Sequence, residues 1–188
     1  MKKNPAITVF CGSNDGSDPY SELYIEAALS LGNVLAELRV DLIYGAGDRG
    51  LMGRVAKAAR EGGSKVIGVN LERFHASGKH RMENDEYIVT KTLQERKEKM
   101  ISRSDAIIVL PGGIGTLDEL MEVLSLRQLG FFDKPIALLN IDNYFGGLLS
   151  FFSFMISKGF MREKDLGLFT VSENPRELVT RLLQITLR

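Results

Sequence analysis

Short apolar runs alternate with longer amphipathic stretches along the whole chain, a pattern typical of strands and helices that follow one another. The predicted strands are Ala6–Phe10, Asp41–Tyr44, Lys65–Val69, Glu86–Val89, Ala106–Leu110, Pro135–Ile141 and Leu168–Val171. The predicted helices are Tyr20–Leu38, Leu51–Glu61, Thr92–Arg103, Thr116–Leu129, Phe145–Lys158 and Asn174–Leu187. This alternation predicts an α/β fold in which helices flank both faces of a doubly wound parallel sheet.

One irregular segment, Asn70–Glu86, interrupts this pattern, and we expect a long loop there with a short helix at most. The sequence contains no internal repeat, low-complexity segment or linker, so the 188 residues are expected to form a single domain, residues 1–188.

Charge and composition narrow the classes of partner. Lys and Arg together number 24, as do Asp and Glu, so the chain lacks the overall positive field that binds nucleic acid or an anionic membrane. The apolar stretch Leu148–Phe160 is too short and too polar to span a bilayer. The N-terminal apolar run is too short for a signal peptide, and Cys11 is the only cysteine. We therefore expect a cytoplasmic protein without a disulfide.

Three glycine-containing turns follow predicted strands, at Cys11–Ser13, Gly45–Gly53 and Pro111–Gly115. The carboxyl ends of parallel strands meet at one edge of a sheet, so the three turns are expected to converge there. Glycine permits a ligand to approach the backbone closely, and a following helix presents free N–H groups to an anion. The sequence therefore predicts an anion-binding site at this edge.

The most informative segment is IIVLPGGIGTLDEL, Ile107–Leu120. It matches neither a Walker A motif nor a full dinucleotide fingerprint, and a single turn of this kind suits one phosphate. Thr116 is expected to cap the helix that follows, and Thr116 and Glu119 have the spacing of a capping box. Glu119 is thus either a capping partner or a catalytic carboxylate, and the pattern alone does not separate the two.

A run of charged residues, QERKEKM, precedes the predicted central strand. Such runs usually form a solvated helix face, and we keep that interpretation for Glu98 and Lys99.

Taken together, the segments CGS, GAG, GLMG, ERKEKM and PGGIGTLDE resemble the Lonely Guy family of nucleoside monophosphate phosphoribohydrolases, also labelled lysine decarboxylases. The resemblance runs in order over about the whole chain. It implies a Rossmann-like domain that forms a homodimer or a higher assembly, with an active site completed by the partner subunit.

The resemblance assigns candidate residues position by position. The essential arginine of the family falls on Arg96 and its essential glutamate on Glu119. The candidate substrate-binding residues are Gly12, Ser13, Gly45, Gly47, Met52, Lys97, Met100, Pro111, Gly112, Gly113, Gly115 and Thr116.

The activity implied by the resemblance is hydrolysis of the N-glycosidic bond of a purine nucleoside 5′-monophosphate, either AMP or an N6-modified AMP such as a cytokinin riboside monophosphate. No metal or cofactor is expected. Many members carry an acidic residue in the loop before the Arg-Lys helix, whereas Arg73–Arg81 contains none, which favours plain AMP. The acid that protonates the leaving base is unassigned, with His80 as one candidate.

Three alternatives share the same pattern. A non-catalytic nucleotide or cofactor carrier would use the same glycines without Glu119. A dinucleotide-dependent oxidoreductase would place an acidic residue at the end of the second strand, where the chain has Gly45-Ala46-Gly47. A pyridoxal phosphate decarboxylase would need a recognisable Schiff-base lysine.

The segment Gly147–Phe160 is apolar around most of its circumference. A helix of this kind is expected to be buried on several sides, either by the core or by a second subunit. The resemblance favours a dimer contact shared with Leu120–Leu129.

Overall fold

A seven-stranded, all-parallel sheet runs through the computed structural model, which describes residues 4–76 and 84–186. The strands are β1 (Ala6–Phe10), β2 (Asp41–Tyr44), β3 (Val66–Leu71), β4 (Glu86–Thr90), β5 (Ala106–Val109), β6 (Ile136–Leu139) and β7 (Thr170–Ser172). Their spatial order is β4-β3-β2-β1-β5-β6-β7, with every neighbouring pair parallel. The predicted α/β fold is confirmed.

Helices cover both faces of the sheet. They are α1 (Ser21–Glu37), α2 (Gly50–Glu61), α3 (Glu72–Ala76), α4 (Leu93–Arg103), α5 (Ile114–Gln128), α6 (Gly146–Ser157) and α7 (Pro175–Thr186). Side chains alternate along a strand, so Ile7 and Val9 of β1 pack with α1, α2 and α7, while Ala6 and Phe10 pack on the opposite side with α4, α5 and α6. Short 3₁₀ helices at Ile141–Asn143 and Glu163–Leu168 complete the described chain.

The strand order reverses between β1 and β5, and the three glycine-containing turns meet at this point. The amide of Gly12 donates to the carbonyl of Pro111 at 3.0 Å, and the amide of Met52 donates to the carbonyl of Gly12 at 3.2 Å. Parallel α/β sheets open a crevice where their strand order reverses, so the fold places a ligand site here. The predicted convergence of the three turns is confirmed.

Helix α5 begins two residues earlier than the sequence predicted. Its N-cap is Gly113, in extended conformation, and no side chain caps it. The side chain of Thr116 lies within the first turn, where it is buried against Gly112. The prediction that Thr116 caps this helix is therefore wrong, because the hydroxyl side of Thr116 faces the glycine turn.

Helix α6 packs on the sheet along one stripe only. Phe152 is its single buried side chain, whereas Phe151 and Phe154 are 56% and 55% exposed. The alternative in which the core of the chain buries this helix on several sides is wrong, because α6 lies on the outside of the layer and no described element covers its outer face. Phe131 and Phe160 are also exposed, at 79% and 84%.

Candidate active site

A cavity of about 660 Å³ opens at the crevice between β1 and β5. Its volume is in the range of small-molecule sites. Glycine turns, the first turn of α5 and side chains from β3, α3 and α4 form its wall. The lining residues are Cys11, Gly12, Ser13, Asn14, Gly45, Ala46, Gly47, Asp48, Arg49, Met52, Asn70, Leu71, Phe74, Leu93, Arg96, Gly113, Ile114, Gly115, Thr116 and Glu119.

An ion pair between α4 and α5 lies in this wall. Nη1 of Arg96 donates to Oε1 of Glu119 at 3.0 Å, and Nε of Arg96 donates to the carbonyl of Val69 at 3.0 Å. The side chains of Arg96 and Glu119 are only 14% and 12% exposed. Two hydrogen bonds from one rigid guanidinium fix its plane, and the pair thereby sets the direction of the Glu119 carboxylate.

Burial dominates the electrostatics of the carboxylate. Desolvation raises the pKa of Glu119 above its ordinary value, and the positive charge of Arg96 opposes that rise. Burial also raises the pKa of the Cys11 thiol well above its usual range, and the negative charge of Glu119 raises it further. Cys11 is therefore a neutral residue of the cavity wall, whereas the carboxyl group of Glu119 is suited to acid–base chemistry.

The glycine at position 45 makes room for the arginine. A Cβ atom at Gly45 would overlap the guanidinium of Arg96, and it would also touch the sulfur of Met52 at 3.0 Å. Gly50 has a positive φ of 60° and lies directly against the backbone of Ser13 and Asn14. The backbone thus requires glycine at position 50, whereas glycine at position 45 leaves the space that the Arg96 guanidinium occupies.

The start of α5 offers backbone donors to the cavity. The first helical hydrogen bond of α5 runs from the amide of Leu117 to the carbonyl of Gly113. The amides of Ile114, Gly115 and Thr116 precede it, so the helix itself supplies no acceptors for them. These N–H groups and the positive end of the helix dipole form an arrangement that binds a phosphate.

The structure brings most predicted site residues into the cavity wall. Those that line it are Arg96, Glu119, Gly12, Ser13, Gly45, Gly47, Met52, Gly113, Gly115 and Thr116. Pro111 and Gly112 lie behind the wall, where the carbonyl of Pro111 accepts from Gly12 and the carbonyl of Gly112 accepts from the Tyr144 hydroxyl at 2.6 Å. These two residues support the turn without lining the cavity.

Lys97 and Met100 do not line the cavity. Met100 is 1% exposed and packs in the core beneath the sheet, where its carbonyl accepts a hydrogen bond from the Thr8 hydroxyl at 2.8 Å. Lys97, the next residue along α4, points about 100° away from Arg96 and pairs with Asp118 and Glu122. Neither side chain lines the cavity that this chain forms.

Several cavity residues were not identified from the sequence. Arg49 adds a second guanidinium at the glycine-rich turn, and Asn70, Phe74 and Leu93 form the wall near β3. Their positions in the sequence could have identified these residues, because each lies shortly after a predicted strand or at the start of a helix, on the carboxyl edge of the sheet. The capping-box interpretation of Glu119 is wrong, since its carboxylate accepts from Arg96.

The described residues contain no cluster of three or more metal-ligating side chains, and none of the described helices is long and apolar enough to cross a membrane. His80, the candidate acid, lies outside the described residues.

Comparison with known proteins identifies the family. A family model described as "Possible lysine decarboxylase" matches residues 52–182. A probable cytokinin riboside 5′-monophosphate phosphoribohydrolase of Oryza sativa subsp. japonica is 40% identical over 178 residues, covering 95% of this chain and 76% of the relative. A cytokinin riboside 5′-monophosphate phosphoribohydrolase of Arabidopsis thaliana is 41% identical over 176 residues, covering 94% of this chain and 80% of the relative. The chain belongs to the Lonely Guy family.

Solved structures share the fold of this Lonely Guy protein at lower identity. The molybdenum cofactor binding protein of Rippkaea orientalis superimposes with a TM-score of 0.72 at 22% identity, with both chains fully covered. The molybdenum cofactor carrier protein of Chlamydomonas reinhardtii gives a TM-score of 0.70 at 22% identity, covering 99% of this chain and 100% of the carrier. At this identity the similarity establishes the Rossmann-like fold alone.

Proposed function

We propose that this protein hydrolyses the N-glycosidic bond of purine nucleoside 5′-monophosphates, AMP or an N6-modified AMP such as a cytokinin riboside 5′-monophosphate, to the free base and ribose 5-phosphate. The observation that carries the proposal is the Arg96–Glu119 pair at 3.0 Å, set in a cavity that also contains the first turn of α5. The proposal agrees with the names of the relatives described above.

The 5′-phosphate binds at the start of α5 in this proposal. The amides of Ile114, Gly115 and Thr116 and the helix dipole attract the dianion, and the guanidinium of Arg49 adds a positive charge in the same cavity. Anchoring the phosphate places the ribose toward Glu119, because Glu119 lies one turn further along the same helix.

Glu119 acts on the sugar. Cleavage of the glycosidic bond develops positive charge at the anomeric carbon, and an adjacent carboxylate stabilises that charge and can take a proton from the attacking water. Burial increases the strength of this interaction, since the local dielectric is low. Arg96 opposes the rise in the pKa of Glu119 and orients its carboxylate before the substrate enters, and its remaining N–H groups are available to the ribose or the leaving base.

Two further parts of the proposal concern how the chains assemble and where in the cell the protein is located. We propose that two chains associate through the exposed apolar face of α6, which contains Phe151 and Phe154, and that the partner subunit completes the active site. The resemblance to Lonely Guy proteins supports a homodimer, and we propose a cytoplasmic location.

A chromatographic assay tests the proposed reaction. Protein is mixed separately with AMP, GMP, CMP and isopentenyladenosine monophosphate, and the products are separated. We expect free purine base and ribose 5-phosphate in equal amounts, with little release of cytosine. Tight binding of AMP without turnover would instead support the carrier alternative, and release of adenosine and phosphate would show that a different bond is cleaved.

A further inference from the structure

Lys97 is the most enclosed cation that pairs α4 with α5 in the described chain. Its side chain is 11% exposed, and Nζ lies 2.9 Å from Oδ2 of Asp118 and 2.5 Å from Oε2 of Glu122. The two carboxylates are one helical turn apart on α5, so both reach the same ammonium group. Burial alone lowers the pKa of Lys97, but the hydrogen bonds to Glu122 and Asp118 raise it above its ordinary value, so the ammonium stays charged.

The two ion pairs between these helices use consecutive residues. Arg96 contacts Glu119, whereas Lys97 contacts Asp118, which directly precedes Glu119, and Glu122, which lies nearly one turn after it along α5. Consecutive residues on a helix point about 100° apart, so Arg96 and Lys97 of α4 contact α5 from different directions. This arrangement fixes the rotation and the register of α5 relative to α4, and therefore the position of Glu119 relative to Arg96.

We propose that Lys97 is a positioning residue for the reaction: by binding Asp118 and Glu122 it holds the Glu119-bearing helix against the Arg96-bearing helix and balances the negative charge next to Glu119. The proposal rests on the proposed function, since it assigns Lys97 a role through Glu119. It differs from the substrate-binding role that the resemblance implied, because Lys97 does not line the cavity.

The charges that face Glu119 determine the direction of the expected effect. Arg96 and Lys97 from α4 lower its pKa, Asp118 from α5 raises it, and Cys11, which directly follows β1, is neutral. Loss of the ammonium leaves the Asp118 and Glu122 carboxylates unbalanced, which raises the pKa of Glu119 further. If Glu119 must be ionised to act, the acidic limb of the activity profile then moves to higher pH. Loss of the Asp118 charge moves that limb to lower pH.

The experiment measures kcat and KM for AMP between pH 5 and 8 in the full-length protein and its variants. We expect Lys97→Met to lower kcat/KM at pH 5 relative to pH 8 by roughly threefold or more, with KM for AMP little changed. Asp118→Asn, at a side chain 59% exposed and therefore compatible with folding, should raise the same ratio. Lys97→Arg retains the charge and should restore the wild-type profile.

Lys99→Met is the matched control, because it removes the same charge from the exposed side of the same helix and should leave the profile unchanged. A raised KM for AMP with an unmoved acidic limb in Lys97→Met would overturn the proposal and place Lys97 on the substrate. The proposal would also be overturned if the acidic limb of the activity profile stayed at its wild-type pH in both Lys97→Met and Asp118→Asn. Absence of adenine release by the wild-type protein would instead contradict the proposed function itself.

Discussion

The guanidinium of Arg96 occupies its place because a neighbouring residue has no side chain. It lies where a Cβ atom at Gly45 would be, donates through Nε to the carbonyl of Val69, and pairs with Glu119. A glycine usually interpreted as a ligand contact therefore first positions a side chain to which the proposal gives a catalytic role. At this scale, activity depends on displacements of about 1 Å, which can cost a hundredfold in rate.

Replacing Gly45 by alanine should displace Arg96. We expect Gly45→Ala to lower kcat/KM for AMP by roughly tenfold or more while the protein remains folded, because the guanidinium can swing toward the cavity. The measurement is steady-state hydrolysis, accompanied by a thermal unfolding curve. Gly167→Ala, at a position where an added Cβ meets no atom within 4 Å, is the control. Equal activity in both variants would contradict this account of Gly45.

The sequence predicted where the site lies better than which way its side chains point. Strand ends and glycine turns identified the cavity edge, and Arg96 and Glu119 fell within it. Lys97 and Met100 are close to Arg96 in sequence, but helix rotation turns Lys97 away from the cavity, and Met100, one turn further along, is buried in the core. That rotation is set by the packing of α4 on the sheet, which no local pattern contains.

Among the elements, strands and long helices follow from periodicity, whereas the 3₁₀ helix Glu163–Leu168 does not. It is held by Asp165, which accepts hydrogen bonds from Gln128 at the end of α5 and from the side chain and amide of Arg162. The contact with Gln128 links segments distant in sequence, so short-range patterns carry no signal for it. The hydrogen bond and charge of Arg162 lower the pKa of Asp165 from 3.8 to about 2.

Asp165 should contribute stability that depends on pH. An acid whose pKa is lower in the folded than in the unfolded state stabilises the fold above its unfolded pKa, and the contribution disappears as pH falls from about 4 to about 2. We expect Asp165→Asn to unfold at a lower temperature than the wild type at pH 7 and the difference to shrink toward pH 2. Glu163→Gln, on the same 3₁₀ helix, is the control. A pH-independent difference would rule out the ionic contribution.

For the whole molecule, several large aromatic side chains are left exposed. Phe151 and Phe154 stack at 6.3 Å between ring centroids on the outer face of α6, and Phe131 and Phe160 are more exposed still. Exposed aromatic side chains in such number usually mark a contact between proteins. The apolar sequence of α6 predicted that something covers this helix, but periodicity does not distinguish the core from a second subunit.

A charge on this face should separate the proposed subunits. We expect the wild-type protein to sediment as a dimer and Phe154→Glu to sediment as a monomer with reduced hydrolysis of AMP, because each proposed site needs the partner subunit. Ile185→Glu, which places the same charge at another exposed apolar side chain near the end of α7, should remain a dimer. A monomeric, fully active wild-type protein in analytical ultracentrifugation would contradict the proposed assembly.

The most direct test of the central proposal compares wild-type protein with Glu119→Gln. The amide keeps the size and a hydrogen-bond acceptor for Arg96 but removes the charge that the proposal places next to the anomeric carbon. We expect the wild type to release adenine and ribose 5-phosphate from AMP in equal amounts, and the variant, with an unchanged circular dichroism spectrum, to release both at roughly one hundredth of that rate or less. Wild-type turnover in Glu119→Gln would contradict a catalytic role for this carboxylate.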